Sequence, residues 1–421
     1  MNYCARVLDI DAQFLYISDC MFITFDDRYT HAADVRIVRT TQSVDLGKLC
    51  ETYEIYNEVV HDQICLEHAM QQLDEIERRQ QRYSCWLLVV MYGLASACVG
   101  PFAFGARLID LPIAFLLGSL IGIMQLISAP RFDQYFNIFE ISAVILTSFL
   151  ARAFGSMRNG NIFCFSALAQ SSIALVLPGY TVLCGSLELQ SRNIVAGSVH
   201  MVYAVILYLI LEFGITIGTS FYGGIDAHAV SEISCRTSTP SWFPFLFVPP
   251  FTFCLIIINH GKWKQMPVMI LMSFVGYVVN HYFVVRFASN AQIASIFGAL
   301  AIGVLANLNS RIFHGCATVT LIPAIFVQVP SGLAASGSLV SGVTSANAIT
   351  HNIVKETLTN GTINLGNGTQ TSSVGSVDIN SMMFIIGCSM IQVTIGITVG
   401  LSLSVLMMYP FGKKRSGLFS F

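Results

Sequence analysis

Glu140 and Glu212 stand inside apolar runs of a 421-residue chain, and a carboxylate at the centre of a bilayer costs about 2.5–3.5 kcal/mol on insertion scales. Each must therefore face protein or water. Such acids can exchange protons or capture a substrate ammonium group; the plainer alternative is an acid near a span end that reaches the lipid headgroups. Glu140 cannot pair with Arg152 on its own helix, because twelve residues leave the two about 120° apart and roughly 18 Å along the axis. Amides and hydroxyls form a second set: Gln170, Ser171 and Ser172 precede Pro178-Gly179, and Gln328 precedes Pro330. A proline removes one helical donor, and helices broken in this way free amides and carbonyls for the ends of a zwitterionic amino acid. Alternatively, the Ser and Gln side chains only hydrogen-bond between packed helices, which is worth about 1 kcal/mol. Glu188 and Arg192, four apart with the acid first, suit an ion pair on a helix surface, either as a gate or as a solvated pair.

Those residues make up the candidate solute or ion pathway. No catalytic residue is expected, since the chain has no GxSxG, HExxH or phosphate-loop motif. No metal site or cofactor is expected either: His61 and His68, seven apart, share a helix face only loosely, and no nearby Cys or third His completes a metal site. Twelve cysteines contain no CxxC pair, and only Cys235 falls in what reads as an exposed loop, so no disulfide framework is expected.

The elements that must position these residues are apolar. The chain is 54% hydrophobic and only 11% charged, far from the roughly 25% of a soluble domain, with a net charge of −2 that argues against nucleic-acid binding. From Trp86 onward, apolar segments close to the ~20 residues needed to cross a bilayer recur. The expected spans are 86–105, 111–129, 136–154, 162–178, 199–222, 242–259, 266–283, 292–308, 317–333 and 382–408. Pro178 with Gly185-Ser186-Leu187 recurs 152 residues later as Pro330 with Gly337-Ser338-Leu339, and Leu111-Pro112-Ile113 recurs 155 residues later as Met266-Pro267-Val268. An odd repeat of five spans inverts its copy across the bilayer. The fold class expected is therefore a polytopic α-helical membrane protein, with ten transmembrane helices as two inverted five-helix repeats behind a small α+β soluble region.

That soluble region covers residues 1–85. Short runs at 13–17, 21–25 and 35–40, separated by turn signals, predict an antiparallel meander, and helical spacing predicts helices over 45–62 and 66–82. The start is abrupt, which leads us to expect an upstream portion. Residues 1–20 lack the basic and hydrophobic stretches of a cleavable signal, so the first span is expected to direct insertion. The first repeat takes 86–222, an outer loop 223–241, the second repeat 242–408 with a polar loop at 340–381, and a tail 409–421.

Lys and Arg set the orientation. Eleven lie on the N-terminal side (Arg78, Arg79, Arg82, Arg131, Arg192, Lys262, Lys264, Arg311, Lys413, Lys414, Arg415) against six on the other (Arg107, Arg152, Arg158, Arg236, Arg286, Lys355). Both termini are expected in the cytoplasm, in a plasma membrane or endomembrane protein. The N-glycosylation acceptors Asn360-Gly361-Thr362 and Asn367-Gly368-Thr369 then fall outside or in a lumen, in agreement.

Four stretches carry a family resemblance: DLGKLCETYEIYNEVVHD from Asp45, YGLASACVGPFAFG from Tyr92, FCFSALAQSSIALVLPGYTVLCGSLELQSRNIVAGSVHMVYA from Phe163 and FVQVPSGLAASGSLVSG from Phe326. They resemble the threonine/serine exporter family, and within it the fungal branch called pheromone-regulated membrane protein ten. The resemblance implies a hydrophilic N-terminal domain, ten spans and, as in bacterial members, export of threonine and serine driven by the membrane potential or a proton gradient. It places Pro178, Gly179, Glu188 and Arg192 in the family's characteristic stretch. The function expected is a secondary transporter, in the exporting sense, of small polar solutes such as threonine or serine, with protons as the candidate coupling ion. The alternative is a membrane interaction or signalling protein that keeps the fold and transports nothing. The partners expected are a small polar solute, the bilayer and protons, with no nucleic acid and the oligomeric state left open.

Overall fold

The computed structural model describes residues 5, 10–17, 20–27, 32–39, 44–128, 136–157, 162–177, 179–190, 193–226, 229, 235, 240, 242–287, 291–313, 316–336 and 379–409. The soluble region opens with a three-stranded antiparallel sheet in the order β1 (Ala12–Ile17), β2 (Cys20–Asp27), β3 (Ala32–Arg39). Its register sets Phe14 opposite Ile23 and Phe22 opposite Ile37. Helix α1 (Leu46–Val60) starts at Asp45, whose Oδ1 accepts the backbone N–H of Lys48 at 2.9 Å, a side-chain cap for a first-turn donor. Helix α2 (Leu66–Arg78) packs on α1 through Ile55, Ala69 and Ile76. Two arginines beyond it, Arg79 at 3.0 Å and Arg82 at 3.2 Å, converge on the Glu51 carboxylate of α1.

Eleven further helices follow among the described residues. They are α3 (Cys85–Ala103), α4 (Leu111–Ile123) with a π-helical turn (Met124–Ser128), α5 (Phe136–Gly155), α6 (Phe165–Ile173), α7 (Gly179–Gln190) and α8 (Ile194–Ile225). After them come α9 (Phe243–Ile258), α10 (Met266–Arg286), α11 (Ala291–Phe313), α12 (Ala317–Ser336) and α13 (Ile379–Met408). Among the described residues, five stretches are long and apolar enough to cross a bilayer: Cys85–Ala103, Ile194–Ile225, Trp263–Arg286, Ile293–Ile312 and Ile391–Met408. Leu111–Ile127, Phe243–Ile258 and Ala317–Val329 are apolar but shorter. Large apolar side chains such as Leu116, Val202, Phe213, Leu271 and Leu406 lie exposed along these helices, an outward face that lipid rather than water suits. All three tryptophans, Trp86, Trp242 and Trp263, sit exposed at or beside helix starts, where amphipathic rings meet headgroups.

The helices pair by the same plan in the two halves. The partnerships α3–α4, α4–α5, α3–α6, α4–α6, α5–α6 and α5–α8 recur as α9–α10, α10–α11, α9–α12, α10–α12, α11–α12 and α11–α13. The halves meet where α3 lies along α9 and where α12 touches α3 and α7. Close approach marks the matched pair α5–α8 and α11–α13: a Cβ at Gly214 would meet Val144 at 3.2 Å, and one at Gly400 would meet Ala299 at 2.8 Å. Buried hydroxyls mostly bond back to their own helix, as Thr147 does to Ala143 O at 2.8 Å and Ser273 to Met269 O at 2.8 Å.

Three expectations are corrected. The segment 162–178 is not one continuous helix: α6 has nine residues, too few to cross, and the chain resumes helically only at Gly179. Among the described residues the second half holds no matching break: α12 runs through Pro330 to Ser336, as a packed helix can with one N–H missing. Cys164 and Cys235 form a disulfide, with Cα atoms 5.6 Å apart across 71 residues of sequence. The partner of Cys235 stands at the N-cap of α6, held there by its backbone N–H donating to Asp110 Oδ1 at 3.0 Å. Asp110 is fully buried and also accepts from the Arg107 backbone at 2.9 Å, so the α3–α4 loop, the start of α6 and the loop carrying Cys235 are fastened together.

The soluble region docks on the loop between α9 and α10. Leu46 and Cys50 pack against Ile256, Ile257, Met266 and Met269. The Leu46 backbone donates to Asn259 O at 2.9 Å, and the Tyr83 hydroxyl donates to Gly261 O at 3.2 Å. His260 turns the chain with φ 54°, stacking on Tyr83 at 6.0 Å between ring centroids. A Cβ at Gly47 would lie 2.6 Å from the His260 carbonyl oxygen, so Gly47→Val pushes α1 off this loop. Limited proteolysis of G47V in membranes should cut the soluble region faster than in the parent, and unchanged cutting contradicts this docking. Burial holds the His260 imidazole below its ordinary 6.5, with Arg82 and Lys48 adding to the effect and Asp45 opposing it. A folded value below the unfolded one gives a contribution that is complete above the unfolded value and lost as pH falls below 6.5. Amide exchange in α1 should therefore quicken on acidification below that point, and less so in H260Q.

Candidate functional site

The interruption between α6 and α7 is the local feature from which the site is built. Pro178 lacks an N–H and disfavours a helical residue before it, which favours an end to the ladder of α6 ahead of it. In the structure the Ala174 N–H still reaches Gln170 O at 3.0 Å, but Val176 reaches only Ile173 O at 2.9 Å and Gly179 only Leu177 O at 2.8 Å. A new helix starting at Gly179 has first-turn amides with no intrahelical acceptors.

Against that start lies α12. A Cβ at Gly179 would meet Val329 Cγ1 at 3.1 Å, and the Tyr180 ring lies 6.2 Å from that of Phe326. The two proline-marked stretches, 152 residues apart in sequence, are thus neighbours in space. Tyr208 of α8 joins them, packing with Leu177 and Val329, and its buried hydroxyl makes no hydrogen bond among the described residues. Glu212 follows one helical turn along α8 and is 8% exposed. Gln328, 1% exposed, is wedged between Gly276 of α10 and Gly298 of α11, beside Asn280, which is also buried. Backbone freed at a break and a phenol therefore meet where α7, α8 and α12 touch, with the Glu212 carboxylate one turn further along α8 and the Gln328 amide turned toward α10 and α11.

The other candidates divide. Ser171 and Ser172 are buried, but each hydroxyl donates to its own helix, at Leu168 O (3.2 Å) and Ala169 O (2.9 Å). Gln170 donates to Ser166 Oγ at 3.1 Å, one turn back. These serve helix packing more directly than a ligand. Glu140 is half-buried at the start of α5 and lines a cavity of ≈ 60 Å³ closed by Tyr203, Ile206, Leu207 and Ile210 of α8. It is on the same pair of helices as Glu212 but in a largely apolar pocket.

Glu188 accepts from the buried His200 Nδ1 at 2.6 Å, a contact between α7 and α8 that the i, i+4 pattern with Arg192 did not anticipate. The Tyr16 ring of β1 stands 6.4 Å from that of His200, so the sheet reaches the α7–α8 hairpin. Pro178, Arg192, Asn360 and Asn367 lie outside the described residues, as do the side chain of Pro330 and the polar loop 340–378. Sequence reasoning missed Tyr208 altogether. Its one signal was the spacing of four residues ahead of Glu212, which puts both on one helix face.

Residues 1–222 match the family described as "Putative threonine/serine exporter", and residues 242–407 match the one described as "Threonine/Serine exporter, ThrE". An uncharacterized protein of Schizosaccharomyces pombe is 50% identical over 426 residues, which cover 100% of this chain and 54% of that protein. Pheromone-regulated membrane protein 10 of Candida glabrata is 46% identical over 417 residues, 99% of this chain and 51% of its own length. The protein of that name from Pichia sorbitophila is 45% identical over 422 residues, 100% of this chain and 41% of its own. The chain thus spans about half the length, or less, of the curated relatives it matches. No solved structure matches it. The two matches together span both halves of the helical bundle and the soluble region, and the chain belongs to the threonine/serine exporter family, a family of membrane transporters rather than enzymes.

Proposed function

We infer that the chain is the membrane core of a secondary transporter of small polar solutes, hydroxylated amino acids such as threonine and serine, working by alternating access in the exporting direction. The observation that carries this is the contact of Gly179 with Val329 beside Tyr208, which brings a helix break and a buried hydroxyl together inside an apolar bundle, with the buried Glu212 one turn along the same helix as Tyr208. In this account α6 and α7 count as one crossing, giving ten: α3 to α8 form the first repeat and α9 to α13 its inverted copy. The matched helix partnerships support the repeat. The excess of Lys and Arg supports cytoplasmic termini, and a disulfide on the opposite side of the bundle from the soluble region agrees, because such bonds persist in oxidising compartments.

The chemistry assigns roles to the groups. First-turn amides of α7 meet the solute carboxylate, as helix N-termini suit anions. The Glu212 carboxylate takes the ammonium group or the coupling proton, and the Tyr208 hydroxyl binds the polar side chain. Glu140 is a second proton-carrying group on the α5–α8 pair, and the Glu188–His200 contact is a gate toward the soluble region. Loss of one neutral hydrogen bond costs about 1 kcal/mol, or roughly fivefold in affinity.

The test is flux of labelled threonine in vesicles containing the chain. Tyr208→Phe should raise KM roughly fivefold with little change in maximal rate. Glu212→Gln should reduce concentrative flux by about tenfold or more, and an uncoupler should abolish the gradient that the parent builds. Absence of flux for any amino acid would instead favour a membrane interaction protein on this fold.

A further inference from the structure

A cavity of ≈ 530 Å³ lies away from the α7–α12 contact, between α1 of the soluble region and the ends of α10, α11 and α12 that face it. That size falls within the ~300–1,000 Å³ typical of small-molecule sites. Its wall combines opposite charges with neutral donors and acceptors: Glu54 and Asn57 from α1, Lys264 and Gln265 ahead of α10, Asn309 near the end of α11 and Thr320 in α12. The soluble region supplies one side and the helical bundle the other, so the cavity exists only because the two are docked.

Two details give the wall a direction. The Gln265 amide is pinned, its Nε2 donating to Cys50 Sγ at 3.0 Å, while its Oε1 is buried and accepts no hydrogen bond among the described residues. An oxygen fixed in this way is an acceptor waiting for a donor. Glu54 is already engaged by Lys262 at 3.2 Å, which leaves Lys264 as the cation along the wall for a carboxylate. The Thr320 hydroxyl spends its proton on Ala317 O at 2.9 Å and therefore offers an acceptor.

We propose that this cavity is a second, shallow binding site for a small zwitterionic amino acid, built jointly by the soluble region and the second half of the bundle. Lys264 meets the ligand carboxylate, Gln265 Oε1 and Glu54 accept from its ammonium group, and Asn309 with Thr320 meets a hydroxyl side chain. The ligand class rests on the transport reading above, whereas the site itself does not. In a transporter this is a vestibule that collects solute on the side of the soluble region, and it gives that region a part in capture.

Trp263, beside Lys264, reports on the site. The experiment is titration of L-threonine, and separately of ethanolamine and lactate, into the full chain in lipid nanodiscs with W86F and W242F leaving Trp263 as the only tryptophan. The expected result is a saturable fluorescence change with L-threonine that is at least about tenfold weaker with ethanolamine or lactate, each lacking one charged end. Lys264→Met, Gln265→Leu and, as a variant remote from the docking contact, Asn309→Leu should each weaken it severalfold, while Glu212→Gln retains it even with flux lost. No saturable change, or K264M, Q265L and N309L binding like the parent, overturns the site. Flux that persists with parental KM in all three also removes the vestibule role while leaving transport intact.

Discussion

Lipid offers no hydrogen bonds to a polypeptide backbone, and that single constraint governs the interruption between Ile173 and Gly179. Each freed amide or carbonyl in hydrocarbon costs several kcal/mol, so the break must be roofed by protein or opened to water. The arrangement around it follows. Val329 and Phe326 of α12 cover the start of α7, Tyr208 of α8 closes the side, and Ser96 of α3 donates to Ser171 O at 3.1 Å just ahead of the break. The price of such a break is a bundle whose two halves cannot separate without exposing it.

The soluble region connects to this arrangement at two points. Its helix α1 sits on the turn at His260, between the end of α9 and the start of α10, and Tyr16 of its sheet reaches His200 on α8. One contact touches the second half and the other the first. The region is thereby fastened to both halves of the bundle. The disulfide and the buried Asp110 fix the opposite end, tying the start of α6 to the α3–α4 loop.

Much of this was legible in residue order. The strands and both soluble helices follow from alternating and helical periodicity, and the apolar segments from length and composition alone. The stretch around Pro178 announced a break because proline physics is local. What stayed hidden was tertiary. Pro330 carries the same local signal, yet α12 passes through it, because packing against α10 and α11 outweighs one lost hydrogen bond. Cys164 and Cys235 are 71 residues apart and share no motif, so only their approach in space reveals the bond. Glu188 has Arg192 four residues on along the chain, but its contact with His200 comes from a hairpin that no local spacing reveals. Tyr208 looked like one more aromatic in an apolar run, and its place against the break appears only when α7, α8 and α12 are seen together.

The central claim is that the proline-marked stretch of one half meets that of the other beside the solute path. Cysteines placed at Gly179 and Val329, in a chain otherwise cleared of reactive thiols, test it most directly by cross-linking in native membranes with and without threonine. Efficient cross-linking by a short bifunctional reagent, slowed by saturating threonine, is the expected result. Failure to cross-link at any reagent length, or reaction rates indifferent to solute, would contradict it.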